Sequence, residues 1–191
     1  KIIKKDIKTR ARVGEITLNG RKFETPIFMP VATSAAIKGL HTKDLVESSN
    51  AEIILANTYH LYLRPGDQII KNCGGIHHFM SWDKLVLTDS GGYQVYSLSN
   101  NRKIKEDGVK FKSHIDGSYH FFSPEKAIQI QKNIGADIIM AFDECTPYPC
   151  TKDYARKSMN LTHRWLKRCI SEFENTDKNR SREQFLFPIV Q

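Results

Sequence analysis

The 191-residue sequence contains no apolar run approaching the roughly 18 residues needed to cross a bilayer, so it offers no candidate transmembrane helix. Its first residues, Lys1-Ile2-Ile3-Lys4-Lys5-Asp6, carry no apolar segment behind their charges and do not read as a secretory signal. A cytoplasmic protein with no membrane partner is the expectation. The four cysteines, Cys73, Cys145, Cys150 and Cys169, form no C-x-x-C pair and no zinc-ligand spacing. They read as structural thiols of a reducing compartment and give no reason to expect a disulfide framework. Seven histidines, His77-His78 among them, fall into no metal motif, and no metal site is expected in this stretch. No G-x-G-x-x-G turn follows any strand-like run, which weakens a doubly wound dinucleotide-binding sheet.

What is present fits one folded domain over residues 1–191. An apolar fraction of 40% and a charged fraction of 26% are those of an ordinary globular protein. The net charge of +8 favours a polyanionic partner such as nucleic acid, although a lysine-rich proteome gives the same balance.

The segment 12–25 contains Asn19-Gly20, a signal for a tight hairpin. Pro26 to Ala32 is strand-like, but its prolines argue against pairing along its whole length. Thr42 reads as the N-cap of a helix to about Ser48. Ile53-Ile54-Leu55-Ala56 is a second buried strand ending in Asn57-Thr58-Tyr59-His60, and a helix around Gln68 to Cys73 follows Arg64-Pro65-Gly66. Leu85 to Thr88 is the third strand. Val109 to Lys112 and Tyr119 to Phe122 then read as an inserted hairpin turned at Asp116-Gly117. Ser123-Pro124 starts a helix that runs to about Asn133 and closes at Gly135. The fourth strand, Asp137 to Phe142, delivers Asp143-Glu144-Cys145. A helix from about Lys152 to Phe173 buries Trp165, Leu166, Cys169, Ile170 and Phe173 on one face. Asn175 to Glu183 is a polar loop, and Phe185 to Val190 a fifth strand reaching Gln191.

Strands alternating with helices imply a parallel sheet. Short buried strands with polar groups at their C-terminal ends are typical of the catalytic face of a (β/α)₈ TIM barrel, which takes about 250 residues. The α/β fold expected here is therefore about the first five β/α units of such a barrel, plus the N-terminal hairpin and the inserted one. A doubly wound sheet is the structural alternative. Five strands in an open array leave an apolar edge, so the stretch reads as the N-terminal part of a longer protein.

Four strand ends carry Tyr59-His60, Asp89-Ser90, Asp143-Glu144 and Gln191, and neighbouring strands would bring them to one pocket. The most informative stretch is L-V-L-T-D-S-G-G-Y-Q-V-Y-S at 85–97. Asp89 stands at a strand mouth, Gly91 and Gly92 let backbone approach a ligand, and Tyr93 offers a ring for stacking. The plain alternative is a strand followed by an Asp-Ser-Gly-Gly turn. Asp89 and Asp143 suit the paired carboxylates of a hydrolase or glycosyl-transfer site. A carboxylate also accepts two N–H bonds at once, as the donor edge of guanine requires, and a Gln amide can donate to a carbonyl oxygen.

T-D-S-G-G-Y-Q-V at 88–95 resembles the signature of tRNA-guanine transglycosylases. A-N-T-Y-H-L-Y-L-R-P-G at 56–66, S-H-I-D-G-S at 113–118, F-F-S-P-E at 121–125, F-D-E-C-T-P-Y-P at 142–149 and F-M-P-V-A-T at 28–33 resemble that family too, in its order along the chain. The resemblance implies a (β/α)₈ barrel and a glycosyltransferase, specifically a pentosyltransferase. It exchanges guanine at the tRNA wobble position for a 7-deazaguanine precursor of queuosine, through a covalent double displacement. Asp89 would be the catalytic acid/base and also bind the substrate, with Ser90, Gly91 and Gly92 lining the base pocket and Tyr93 stacking. Asp143 would bind the donor edge of the base and Gln191 its carbonyl oxygen. Cys145 after Asp-Glu resembles the bacterial form, which takes preQ1, rather than the eukaryotic form, which takes queuine. A homodimer and a structural zinc are implied for the full-length protein, with guanine or preQ1 as the small-molecule ligand. Pro188, where glycine is usual, loosens the register of Gln191.

The family's nucleophilic aspartate and its zinc ligands find no match up to Gln191. A non-catalytic RNA-binding subunit on the same barrel and a barrel glycoside hydrolase are the competing readings. The two aspartates argue against the first, and the absence of Glu at the strand ends against the second. The 191-residue chain alone is expected not to exchange labelled guanine into tRNA, and exchange by that chain would overturn the expectation.

Overall fold

The computed structural model describes residues 1–98, 102–175 and 182–190. Gln191 and most of the polar loop read between Asn175 and Glu183 lie outside the described residues. The N-terminal segment forms a three-stranded antiparallel sheet of β1 (Ile2–Lys5), β2 (Arg12–Leu18) and β3 (Arg21–Thr25). Its β2–β3 turn is the Asn19-Gly20 pair read from the sequence, with both residues at positive φ (48° and 75°), as a type I′ hairpin demands.

The central sheet is parallel, with β4 (Ile53–Ala56), β5 (Leu85–Thr88), β9 (Ile138–Met140) and β10 (Phe185–Phe187) side by side in chain order. Each new strand adds beyond the last and the order never reverses, so the described strands show no doubly wound switch point. The expected first strand at 26–32 is reduced to one parallel bridge, Val31 to Leu55. Pro26 and Pro30 lack N–H groups, and only the Pro30 carbonyl and the Ala32 N–H bond to Leu55, at 2.9 and 2.7 Å.

Helices cover one face of this sheet. They are α1 (Thr42–Ser49), α2 (Thr58–Leu63), α3 (Asp67–Asn72), α4 (Ile76–Phe79), α5 (Gly92–Leu98), α6 (Pro124–Ile134) and α7 (Lys152–Asn175). The N-cap of α1 is His41 rather than Thr42. Asp44 Oδ2 accepts from the His41 N–H at 3.3 Å, while the Thr42 hydroxyl donates to the Met80 carbonyl instead. In α6 the reading holds: Ser123 Oγ accepts from the Lys126 N–H at 3.1 Å and Gly135 closes the helix at φ 80°. The buried stripe of α7 is Ser158, Thr162, Trp165 and Cys169. Ile170, expected on that face, is exposed, because it stands about 100° around the helix from Cys169, at the edge of the buried stripe.

Between β5 and α6 the chain inserts β6 (Lys103–Lys105), β7 (Gly108–Lys112) and β8 (Tyr119–Phe122), a three-stranded meander where a two-stranded hairpin was expected.

Alternation along the parallel strands divides the apolar residues between two cores. Ile54, Val86 and Ile139 pack with the helices. Ile53, Leu85 and Ile138 meet Leu18 and Phe23 of the N-terminal sheet. Each such fully buried side chain is worth about 1.5–3 kcal/mol relative to exposure.

Asp137, fully buried at the entry to β9, ties these parts together. Its Oδ2 accepts from the Val86 N–H at 2.8 Å, and its Oδ1 from Asn19 Nδ2 at 2.6 Å and Arg182 Nε at 3.0 Å. His77 Nε2 lies 3.1 Å from Oδ2, an ion-pair distance in a geometry poor for a hydrogen bond. Burial pushes this carboxyl up, but the His77 ring, the Val86 N–H and the Arg182 charge outweigh it and hold it below the ordinary carboxylate value. Asp137→Ala leaves these donors facing an apolar gap and should cost about 3–5 kcal/mol in urea unfolding at neutral pH. Because the folded carboxyl titrates below the unfolded value of about 3.9, its contribution is complete above that pH and disappears as pH falls through the folded value. The wild type should therefore lose more stability than the variant on acidification below about pH 4.

Candidate active site

The C-terminal ends of β5 and β9 are set side by side by one residue of α6. Gln131, fully buried, accepts from the Thr88 hydroxyl at 3.1 Å and the Met140 N–H at 2.8 Å, and donates to the Met140 carbonyl at 2.9 Å. Asp89 follows β5 directly, and Asp143 stands three residues beyond the last residue of β9.

Asp89 continues the parallel ladder with its N–H on the Ala56 carbonyl at 3.2 Å. Its Oδ1 accepts from the Thr58 N–H at 2.9 Å and the Gly91 N–H at 3.2 Å, and its Oδ2 from Asn57 Nδ2. The Thr58 hydroxyl donates to the Asp89 carbonyl at 2.5 Å. Burial raises the carboxyl above its ordinary value despite these donors and the Gln94 amide, so the proton is held more tightly than by a carboxyl in water.

Asp143 is buried, and its Oδ1 accepts from the Ser90 hydroxyl at 2.8 Å. Ser90 Oγ in turn accepts from the Gly92 N–H at 3.1 Å. The two glycines serve packing as well as access. A Cβ at Gly92 would stand 2.7 Å from the Asp143 carbonyl oxygen and 2.9 Å from Oδ1. Gly91, at φ +81°, has the Phe122 ring and the Tyr59 N–H where a side chain would go.

The remaining expected residues divide. Tyr93, one residue into the turn of α5, is 61% exposed beside the loop, with its ring 6.5 Å from that of Tyr96. Gln191 lies outside the described residues. Tyr59, expected to reach the pocket, is instead fully buried beneath the meander, its hydroxyl 2.9 Å from His114 Nδ1. His60 packs edge-on to Tyr59 and His114, and burial lowers its pKa, so it leans to the neutral ring.

A shallow open cleft beside Asp143 is lined among others by Gly92, Tyr96, Arg102, Glu144 and Cys145. Arg102 sits 4.3 Å over the Tyr96 ring. Glu144 accepts from the Tyr154 hydroxyl at 2.7 Å, which pushes that phenol up to about 12. Burial, followed by the Asp143 charge, pushes the Cys145 thiol up, so it stays protonated and serves as cleft lining rather than nucleophile. Among the described residues no three His, Cys, Asp or Glu side chains gather as a metal site, and no helix is long and apolar enough to cross a membrane.

Sequence reasoning missed Asn57 and Thr58 as the partners of Asp89, and Gln131 as the clamp between strands. Asn57 carried a signal, since it directly precedes a helix that starts at the strand end.

The site thus holds a half-buried carboxylate, Asp89, and a buried one, Asp143, at the ends of adjacent parallel strands, with the residue after Asp89, Ser90, donating to Asp143. The family model described as "TGT: Queuine tRNA-ribosyltransferase" matches residues 6–191. The chain belongs to that family. It is 56% identical over 190 residues to the queuine tRNA-ribosyltransferase of Caldanaerobacter subterraneus subsp. tengcongensis, covering 100% of this chain and 49% of the relative. The Thermoanaerobacter sp. (strain X514) and Desulforamulus reducens proteins of the same name are 54% and 52% identical over 191 residues, covering 100% of this chain and 49% and 50% of theirs. The chain thus spans about half the length of the curated relatives it matches.

Asn57→Ala removes a donor that lowers the Asp89 pKa while leaving the carboxyl buried. The Asp89 carboxyl is expected to titrate at higher pH in the variant, as read by ¹³C NMR of the Asp side chains. An unchanged or lower value would remove Asn57 from its control.

Proposed function

We propose that the protein carrying this chain is a tRNA-guanine transglycosylase, exchanging guanine at the wobble position of tRNA for preQ1 by double displacement. Membership of the queuine tRNA-ribosyltransferase family supports the tRNA and the base as substrates. The observation that carries the site assignment is the half-buried carboxyl of Asp89, raised by desolvation, one residue from the Ser90–Asp143 hydrogen bond. General acid/base work is best done by a group titrating near the working pH, and burial moves Asp89 in that direction. Asp89 would pass a proton to and from the departing and arriving base. Asp143 would accept from the donor edge of guanine, with its orientation fixed by Ser90. Ser90, Gly91 and Gly92 would form the floor of the pocket, Tyr93 would stack on the exposed face of the base, and Gln191 would donate to its carbonyl oxygen. Cys145 in the adjoining cleft fits the preQ1 reading.

The parallel strands in unreversed chain order support a (β/α)₈ barrel of which this single domain is the N-terminal part. The structural zinc implied by the family finds no ligand set among the described residues, and its ligands would belong to sequence outside this stretch. We place the protein in the cytoplasm as a homodimer when full length, and this 191-residue stretch alone as inactive.

In the full-length protein, Asp89→Asn should retain guanine binding by calorimetry while slowing labelled-guanine exchange into tRNA about 10²–10⁴-fold. Asp143→Ala should lose guanine binding. Undiminished exchange in Asp89→Asn would remove Asp89 from the acid/base role.

A further inference from the structure

The β6–β7–β8 meander has one face buried and one face that nothing in the described structure covers. Inward, Val109, Phe111 and Phe122 are buried, and His120 Nδ1 lies 3.0 Å from the Tyr62 hydroxyl. Phe122 also packs on Phe142 and blocks the Cβ position of Gly91, so the meander stands against the flank of the candidate site. Alternation sends every other residue to the opposite face. The outward side chains are Lys103, Lys105, Lys110, Lys112, Tyr119 and Phe121, all exposed.

The strand register brings these side chains together. Lys103 pairs with Lys110 and Lys110 with Phe121, while Lys112 pairs with Tyr119. Lys110 Nζ sits 4.7 Å from the Tyr119 ring centroid, and the Phe121 ring lies over the space left by Gly108. Lysines two apart on a strand stand about 6.8 Å from one another, and neighbouring strands about 4.8 Å apart. Acidic side chains are confined to the turns. Glu106 is held by Arg164 at 2.7 and 2.8 Å, Asp116 by Ser118 at 2.7 Å, and Asp107 lies in the β6–β7 turn. The like charges of Lys103, Lys105 and Lys110 on adjacent rungs repel one another and weaken the sheet. Their presence together, with two exposed rings among them, fits a ligand that carries phosphates and flat bases.

We propose that the outer face of this meander is an RNA-docking surface, with Lys103, Lys105 and Lys110 contacting phosphates and Tyr119 stacking on an unpaired base. It lies apart from the base pocket and holds the RNA beside it. The proposal rests on the tRNA reading above for the identity of the RNA. An acidic protein would satisfy the charges but not the rings, and the face lacks a continuous apolar strip that would enter a bilayer.

The test uses the full-length protein and an anticodon stem–loop RNA with guanine at the wobble position. The triple variant Lys103→Gln, Lys105→Gln, Lys110→Gln should bind this RNA about tenfold more weakly at low salt. The slope of log K against log [salt] should fall by about 2. Tyr119→Ala should weaken binding about fivefold or more with the salt slope unchanged. Guanine affinity, measured separately, should be unaltered in both. RNA affinity and salt slope equal to wild type in the triple variant would overturn the docking surface alone. A wild-type protein that binds guanine but not the stem–loop would overturn the tRNA reading and this surface with it. Loss of binding to phosphatidylserine vesicles in the triple variant, with RNA binding intact, would assign the face to lipid and likewise overturn the proposal.

Discussion

A parallel sheet of three- and four-residue strands has little ladder to hold it, so its stability is decided at the strand ends, where backbone pairing runs out. Here both ends are closed from the same α6–β9 unit. Asp137 takes the Val86 N–H at the entry of the sheet and gathers the N-terminal hairpin and the segment before β10 around one carboxylate. Gln131 takes the Met140 N–H and the Thr88 hydroxyl at the exit. Backbone groups that water would otherwise have to satisfy are met by buried side chains, at a separation set by one turn of helix and the Gly135 cap. The candidate site inherits its geometry from the second of these closures.

The chemistry follows from what burial does to two carboxylates in different company. Asp89 has four donors and is still raised, because desolvation is the larger effect. Asp143 accepts the single proton of the Ser90 hydroxyl, whose oxygen in turn accepts from the Gly92 N–H and is anchored to the loop backbone by it. One group is suited to gaining and losing a proton, the other to accepting hydrogen bonds from a fixed direction.

Much of this was legible in the sequence. Asn19-Gly20 can form few things other than a tight turn, Ser123-Pro124 marks a helix start in two residues, and Asp89 and Asp143 stand at the ends of apolar runs whose alternation with helices fixes their side of the sheet. What escaped was set by tertiary partners. Tyr59 is as compatible with a strand-end site as with a core, and only the inserted meander decides for the core. That meander hid its first strand, Lys103–Lys105, because three residues with lysine at both ends carry almost no hydrophobic signal. Helices α2 and α5 begin on the residues expected to be site loops, since a strand end followed at once by a helix leaves no composition change to read. Pro26 to Ala32 failed as a full strand for a reason visible from the start, its missing N–H groups.

The closeness of Gly92 to Asp143 makes the two strand-end loops a single mechanical part. With 2.7 Å between the position of an absent methyl and a carbonyl oxygen, neither loop can shift toward the other, and the Ser90 bridge opposes their separation. The distance between the two carboxylates is thereby gauged by backbone thickness rather than by side-chain choice. A drift in the sequence of either loop that preserves the glycine leaves that spacing untouched, while any side chain at position 92 resets it.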